Sequence, residues 1–133
     1  RFYPGSPVLI ARALGPEDHY VGFELREEVA GLLRESLRGF AGARGEIGDG
    51  YDLVRAEARQ AGGAVVLIDP PFERPDDYLR AAETAGAIVK ADPDALVAIW
   101  TPLKDLETFD GFLRRRAAAT SVPTLVAEAR LRP

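Results

Sequence analysis

The chain has 133 residues, a formal net charge of −4 and 47% apolar side chains. That length suits one domain rather than two, and the apolar fraction excludes a disordered chain. With no cysteine, a disulfide framework and a cysteine-built metal site are excluded. No apolar run approaches the ~20 residues of a membrane span, and no signal-peptide pattern is visible. A soluble, cytoplasmic protein without a membrane partner is expected. The acidic balance has the wrong sign for a nucleic-acid binder, so any basic contact surface must be local or lie outside this chain. The sequence opens at Arg1 on a dense pattern and holds no methionine, which suggests a partial chain.

Ser6-Pro7 opens the first predicted helix, with Ser6 as N-cap and Pro7 at the first helical position. Val8 to Leu14 carry it, and Gly15-Pro16 end it. Tyr20 to Leu25 read as a short strand. A helix follows from Arg26 to Arg38, with Val29, Leu32, Leu33 and Leu37 as one apolar face. Gly45 to Gly48 form a weak strand and Tyr51 to Gln60 a helix. Ala64 to Ile68 is a continuous apolar run after Gly62-Gly63, the pattern of a central strand covered on both faces. Pro75 starts a helix reaching Lys90, with Tyr78, Leu79 and Ala82 inward. Ala95 to Trp100 is the next strand. Leu103, Leu106 and Phe109 mark a helix to Arg116, and Pro123 to Ala129 a last strand. Five strands alternate with five helices, which predicts an α/β fold with a mainly parallel sheet and helices on both faces. Ligands of such sheets bind beyond the carboxyl ends of the strands, so acids that follow strands carry the chemical interest.

Asp69-Pro70-Pro71-Phe72 follows the strongest strand. It suits methylation of an aromatic amine. The lone pair of adenine N6 is delocalised into the ring, so the amine is a poor nucleophile. Two acceptors aimed at its hydrogens draw the nitrogen toward tetrahedral geometry and free the lone pair. Asp69 supplies a carboxylate and Pro70 a backbone carbonyl, while the paired prolines fix φ and offer no competing donor. Phe72 is placed to stack on a base taken out of its helix. The plainer alternative is a strand end with a Pro-Pro loop and a capping aspartate. Glu24 ends its strand where an acid can hold both ribose hydroxyls of a nucleoside cofactor, or simply face solvent ahead of Glu27 and Glu28. Asp49-Gly50 can accept from the cofactor's adenine amine and donate to its ring, or be an ordinary Asp-Gly turn. His19 reads as a surface residue, Arg114-Arg115-Arg116 as a cationic last helical turn, and Trp100 as core or pocket wall. No metal-ligand cluster and no Ser-His-Asp set can be assembled.

Together these stretches resemble the RlmJ family, also called ComJ, bacterial enzymes that methylate N6 of an adenine in 23S ribosomal RNA. The resemblance rests on Arg1-Phe2-Tyr3-Pro4-Gly5-Ser6-Pro7, Phe23-Glu24-Leu25, Asp49-Gly50, Leu67-Ile68-Asp69-Pro70-Pro71-Phe72 with Asp76-Asp77-Tyr78, and Trp100-Thr101-Pro102. It implies S-adenosylmethionine as cofactor, held by Ser6, Glu24, Asp49 and Gly50, with Asp69 as the catalytic acceptor and ribosomal RNA as substrate. It also implies a Rossmann-like class I methyltransferase sheet, ordered 3-2-1-4-5-7-6. Of that sheet, the first strand with its glycine-rich cofactor loop and the final hairpin strand are not matched. Residues 1–133 are therefore expected to be part of one S-adenosylmethionine-dependent methyltransferase domain. Alone they should be inactive and bind the cofactor weakly, and their unpaired sheet edges favour self-association. The same chemistry on DNA adenine, or a non-catalytic nucleic-acid-binding domain, are the alternative readings.

Overall fold

The computed structural model describes residues 4–102 and 106–129. Arg1, Phe2 and Tyr3 of the first matching stretch, and Leu103 of the last predicted helix, lie outside them. Chain contacts divide the molecule into two units, one ending at Glu57 and one starting at Ala58.

In the first unit, helix α1 spans Ser6–Ala13. Its N-cap is Gly5, whose carbonyl accepts from the amides of Val8 at 3.1 Å and Leu9 at 3.2 Å. Ser6 is thus the first helical residue and not the cap, a shift of one position from the expectation. Pro7 lacks its N–H where a first turn has no internal acceptor for it. Strands β1 (Tyr20–Glu24) and β2 (Ala43–Ile47) pair in parallel, from Tyr20 opposite Ala43 to Glu24 opposite Ile47. Strand β2 starts two residues before the predicted Gly45. Helix α2 (Glu27–Leu37) connects them and packs on both. Its buried side chains are Ala30 and Leu37, and Leu32 is 62% exposed. Its inward face is therefore rotated from the predicted one, with Ala30 replacing Leu32. The Arg34 Nε–H reaches back to the Gly45 carbonyl at 3.2 Å, a polar tie on the exposed flank of that face. Helix α3 (Gly50–Ala61) follows β2 and runs past the boundary between the units.

In the second unit, strands β3 (Val65–Ile68) and β4 (Leu96–Ile99) are again parallel, from Val65 opposite Leu96 to Ile68 opposite Ile99. Helix α4 (Asp77–Ala91) connects them, and helix α5 (Leu106–Ala119) packs along α4. The core is built from Ala81, Ala82, Thr84, Ala85, Ile88 and Val89 of α4 with Val66, Ile68, Phe72 and Phe112. Small residues let the two helices approach closely: a Cβ added at Gly86 would stand 2.8 Å from the Ala119 Cβ. Burial along β3 alternates, with Val66 and Ile68 inside while Val65 is 77% and Leu67 43% exposed. The run is covered on one face, not on both as its composition suggested. Residues 123–129, predicted as a strand, form none; Leu125 is 91% exposed. Among the described residues no strand pairs with it to take up its backbone hydrogen bonds.

The pairings observed, β1 with β2 and β3 with β4, are the neighbours that a 3-2-1-4-5 order gives to its second and third strands and to its fourth and fifth. Among the described residues, two parallel strand pairs and five helices in alternation make the predicted α/β class. Among the described residues no helix is long and apolar enough to cross a membrane, and no group of three His, Cys, Asp or Glu could hold a metal.

Candidate functional site

The candidate residues fall in both units, and each set takes its geometry from its own sheet. In the first unit the pairing carries one step past the strands, because the Gly48 amide donates to the Glu24 carbonyl at 2.9 Å. Gly48 sits at φ 150°, and a Cβ there would come within 2.4 Å of Leu53. Glycine therefore permits the sharp exit from β2 that delivers Asp49. The register places Glu24 and Asp49 at the carboxyl ends of adjacent parallel strands, and Gly50 lies against Phe23, where an added Cβ would be 3.4 Å from the Phe23 Cβ. The sheet thus brings Glu24, Asp49 and Gly50 to one edge. Ser6 is half-buried at the start of α1, a helix that packs on β1 and α2.

Both acids also make the local bonds of their plainer readings. Glu24 Oε1 accepts from the Arg26 amide at 2.9 Å and lies 3.8 Å from the Arg26 guanidinium. Asp49 Oδ1 accepts from the Tyr51 amide at 3.0 Å, and its carbonyl takes the amides of Asp52 and Leu53, each at 3.1 Å. Asp49 therefore works as the start of α3. A carboxylate has two oxygens, and Glu24 Oε2 makes no hydrogen bond among the described residues, so a ribose diol can still be accommodated there. These groups could hold the nucleoside half of S-adenosylmethionine: a carboxylate on one strand that could accept from ribose hydroxyls, and on the next a carboxylate with an adjacent glycine amide that could meet an adenine.

In the second unit, Asp69 is the first residue beyond β3. It is exposed and makes no hydrogen bond or ion pair among the described residues. Pro70 and Pro71 add no donor. Phe72 then turns back at φ 51°, which a bulky L-residue rarely adopts. Its ring is 2% exposed and packs on Tyr78 with centroids 4.6 Å apart. This differs from the expected base-stacking platform: the ring faces the core, and a base can meet it only if it leaves that place. Sequence reasoning placed Tyr78 inward but gave neither it nor Asp77 a role. The Asp77 carboxylate, 3% exposed, accepts from the Arg74 amide at 2.9 Å and pins the segment entering α4. The Tyr78 hydroxyl donates to the Pro102 carbonyl at 3.0 Å. Their signal was present as Asp76-Asp77-Tyr78, adjacent acids ahead of an aromatic in a first helical turn. Trp100, expected in the core or a pocket wall, is 63% exposed. His19, Arg114 and Arg115 are exposed, and Arg116 is in the last turn of α5. Two cavities of the first unit, about 400 and 210 Å³, surround Leu14, Asp18 and Phe40 and Arg34, Arg38 and Arg44. Neither is lined by a candidate residue.

Parallel strands joined by helices, with acids leaving their carboxyl ends, define a Rossmann-like fold of the methyltransferase class. The same fold is seen in the crystal structure of protein LPL1258 from Legionella pneumophila str. Philadelphia 1, of family DUF519, at a TM-score of 0.74 and 23% identity over 90% of this chain and 45% of that one. The family described as Ribosomal RNA large subunit methyltransferase D, RlmJ, matches residues 1–133. The chain belongs to the RlmJ family. It is 30% identical over 104 residues to Ribosomal RNA large subunit methyltransferase J of Escherichia coli (strain K12). To the protein of that name from Haemophilus influenzae (strain ATCC 51907 / DSM 11121 / KW20 / Rd) it is 30% identical over 105 residues. Each match covers 77% of this chain and 37% of the relative, so the chain corresponds to well under half the length of these proteins.

Proposed function

We propose that the protein transfers a methyl group from S-adenosylmethionine to N6 of an adenine in 23S ribosomal RNA, with Asp69 and the Pro70 carbonyl as the acceptors of the target amine. The observation that carries this reading is the state of Asp69. It is an exposed carboxylate at the carboxyl end of a parallel strand, uncommitted to any neighbour among the described residues, and followed by two residues without N–H groups. A capping aspartate would be spent on backbone amides, as Asp49 and Asp77 are. The names of the family and of its relatives support ribosomal RNA over DNA.

The cofactor supplies a methyl group on a sulfonium, activated for displacement. Glu24 would hold its ribose hydroxyls, and Asp49 with Gly50 its adenine; Ser6 is assigned to the same site by family resemblance. Asp69 and the Pro70 carbonyl accept the two N6 hydrogens, so that the nitrogen lone pair is free to attack the methyl carbon. When bound, the cofactor would give up its methyl group to N6 and keep the sulfur–carbon electron pair as a thioether; Asp69 would take the proton that N6 must then lose, or pass it to solvent. Positioned acceptors of this kind act where charge develops, and loss of one costs ~10²–10³ in rate. Single-turnover transfer of labelled methyl to unmodified ribosomal RNA by the full-length enzyme, with adenine-containing DNA as a second substrate, tests the proposal. Asp69→Ala should abolish transfer while keeping cofactor affinity, and Asp69→Asn should be milder because an amide oxygen still accepts. Near-normal transfer by Asp69→Ala would remove the mechanism, and transfer to DNA alone would remove the substrate assignment.

A further inference from the structure

We propose that Tyr78 is a positioning residue for the methyl-transfer motif, a clamp that ties the loop after β3 to the loop after β4. The inference rests on the reading of Asp69 and Pro70 as acceptors. In the middle of the loop at 69–72, Pro70 and Pro71 have no backbone N–H with which to secure it. Asp69 makes no local bond that would orient it, so the placement of both acceptors depends on how the ends of the loop are fixed. The upstream end is fixed by the ladder, where Ile68 lies opposite Ile99 and its carbonyl accepts from the Trp100 amide at 3.0 Å. The downstream end is fixed by Phe72, and Phe72 is held by Tyr78, whose ring lies 4.6 Å away at 45°.

Tyr78 makes two further contacts. Its ring meets Phe112 of α5 edge-on, with centroids 6.0 Å apart at 64°. Its hydroxyl donates to the Pro102 carbonyl at 3.0 Å, in the chain leaving β4. Asp77, one residue earlier, holds the Arg74 amide at 2.9 Å, so the first turn of α4 is itself anchored. One side chain therefore joins the segment that carries Asp69 and Pro70 to its neighbour across adjacent strands. These contacts are to Phe72, Phe112 and Pro102, so its effect on the reaction passes through the loop. A φ of 51° at Phe72 is one that a bulky L-residue keeps only where packing holds it, as the Tyr78 ring does.

Tyr78→Phe removes the hydroxyl and keeps the ring contacts; Tyr78→Ala removes both. Two measurements on each variant, made in the full-length enzyme, decide the matter: single-turnover methyl transfer to ribosomal RNA, and hydrogen exchange of the peptides covering residues 72–77 and 100–101. Net loss of one hydrogen bond corresponds to roughly a three- to tenfold effect. For Tyr78→Phe the expected result is a fall in the transfer rate of that size, with RNA and cofactor affinities unchanged within about twofold, and faster exchange confined to those peptides. Tyr78→Ala should extend the same pattern. Unchanged transfer and exchange in Tyr78→Phe would overturn the proposal, as would a loss of affinity equal to the loss of rate, or faster exchange throughout the chain, since those mark a merely structural tyrosine. If the wild-type protein methylates neither RNA nor DNA, the functional reading fails by itself. The exchange measurement then still decides the clamp: locally faster exchange supports it, and unchanged protection overturns it.

Discussion

Replacing Phe72 by alanine separates a core side chain from a substrate contact, because the two roles show up in different free energies. At 2% exposure the ring is almost wholly removed from water. Truncation of a buried phenylalanine to alanine costs ~3–5 kcal/mol through lost transfer energy and the cavity left behind. A ring that only stacks on a base contributes roughly 1–3 kcal/mol to RNA binding and nothing to folding. The backbone adds a second signature. Glycine is ordinarily ~0.5–1 kcal/mol less stable than alanine within a regular element, but a left-handed conformation costs an L-residue ~1–2 kcal/mol. At φ 51° the order should reverse, so that Phe72→Gly is at least as stable as Phe72→Ala. Phe72→Tyr should not be silent either, because its hydroxyl would enter a buried site, at a cost of ~1–3 kcal/mol if it finds no partner. Equilibrium urea unfolding reads all three variants. With a slope near ~2 kcal/mol per M, Phe72→Ala should lower the midpoint by about 2 M. A loss of folding stability under ~1 kcal/mol together with weakened RNA binding would refute the core assignment and restore the stacking role.

Two further outcomes follow from packing and burial. Gly86→Val should destabilise the protein by ~1–3 kcal/mol, because its Cβ would stand 2.8 Å from the Ala119 Cβ and 3.2 Å from the Ala119 carbonyl oxygen; adding Ala119→Gly should recover part of that loss in the same urea assay, and strict additivity would deny the contact. Burial raises the Tyr20 phenol above its ordinary value of 10.0. The folded state therefore keeps this proton after the unfolded chain has lost it, and stability should fall as pH rises from about 10 toward the folded value; Tyr20→Phe should flatten that decline, and an unchanged alkaline slope would contradict it.

The elements with strong local signals were legible in the sequence. The run Ala64 to Ile68 and the alternation around it gave parallel strands joined by helices, and Gly48 with Asp49-Gly50 marked the exit of β2 into α3. What was not legible depended on partners distant in sequence. Composition cannot show that Val65 and Leu67 lie on an uncovered face, because an apolar run reads the same whichever face is packed. The segment 123–129 has strand-like residues, yet a strand also needs a neighbour, and periodicity carries no information about one. Leu32 lies outside and Ala30 inside because the rotation of an amphipathic helix about its axis is set by packing on the strands, which its own periodicity does not contain. For Phe72, an aromatic after Pro-Pro gives no indication of which way it turns; a positive φ, invisible in the sequence, sends the ring inward.

The three acids that follow strands differ in how their geometry is set, and the difference matches the roles proposed for them. Glu24 is oriented by the Arg26 amide and Asp49 by the Tyr51 amide, each within two residues along the chain. Such local bonds fix a carboxylate before any ligand arrives, which suits a group that must only recognise a nucleoside. Asp69 has no such bond among the described residues, so its carboxylate keeps its acceptor capacity for the target amine. Its position has to come from the backbone: the ladder from Ile68 on one side, and the two prolines and the buried Phe72 on the other. A local hydrogen bond at Asp69 would improve its placement and weaken it as an acceptor. Holding the loop at Phe72 and Tyr78 avoids that conflict, because the constraint acts on residues that need not touch the substrate.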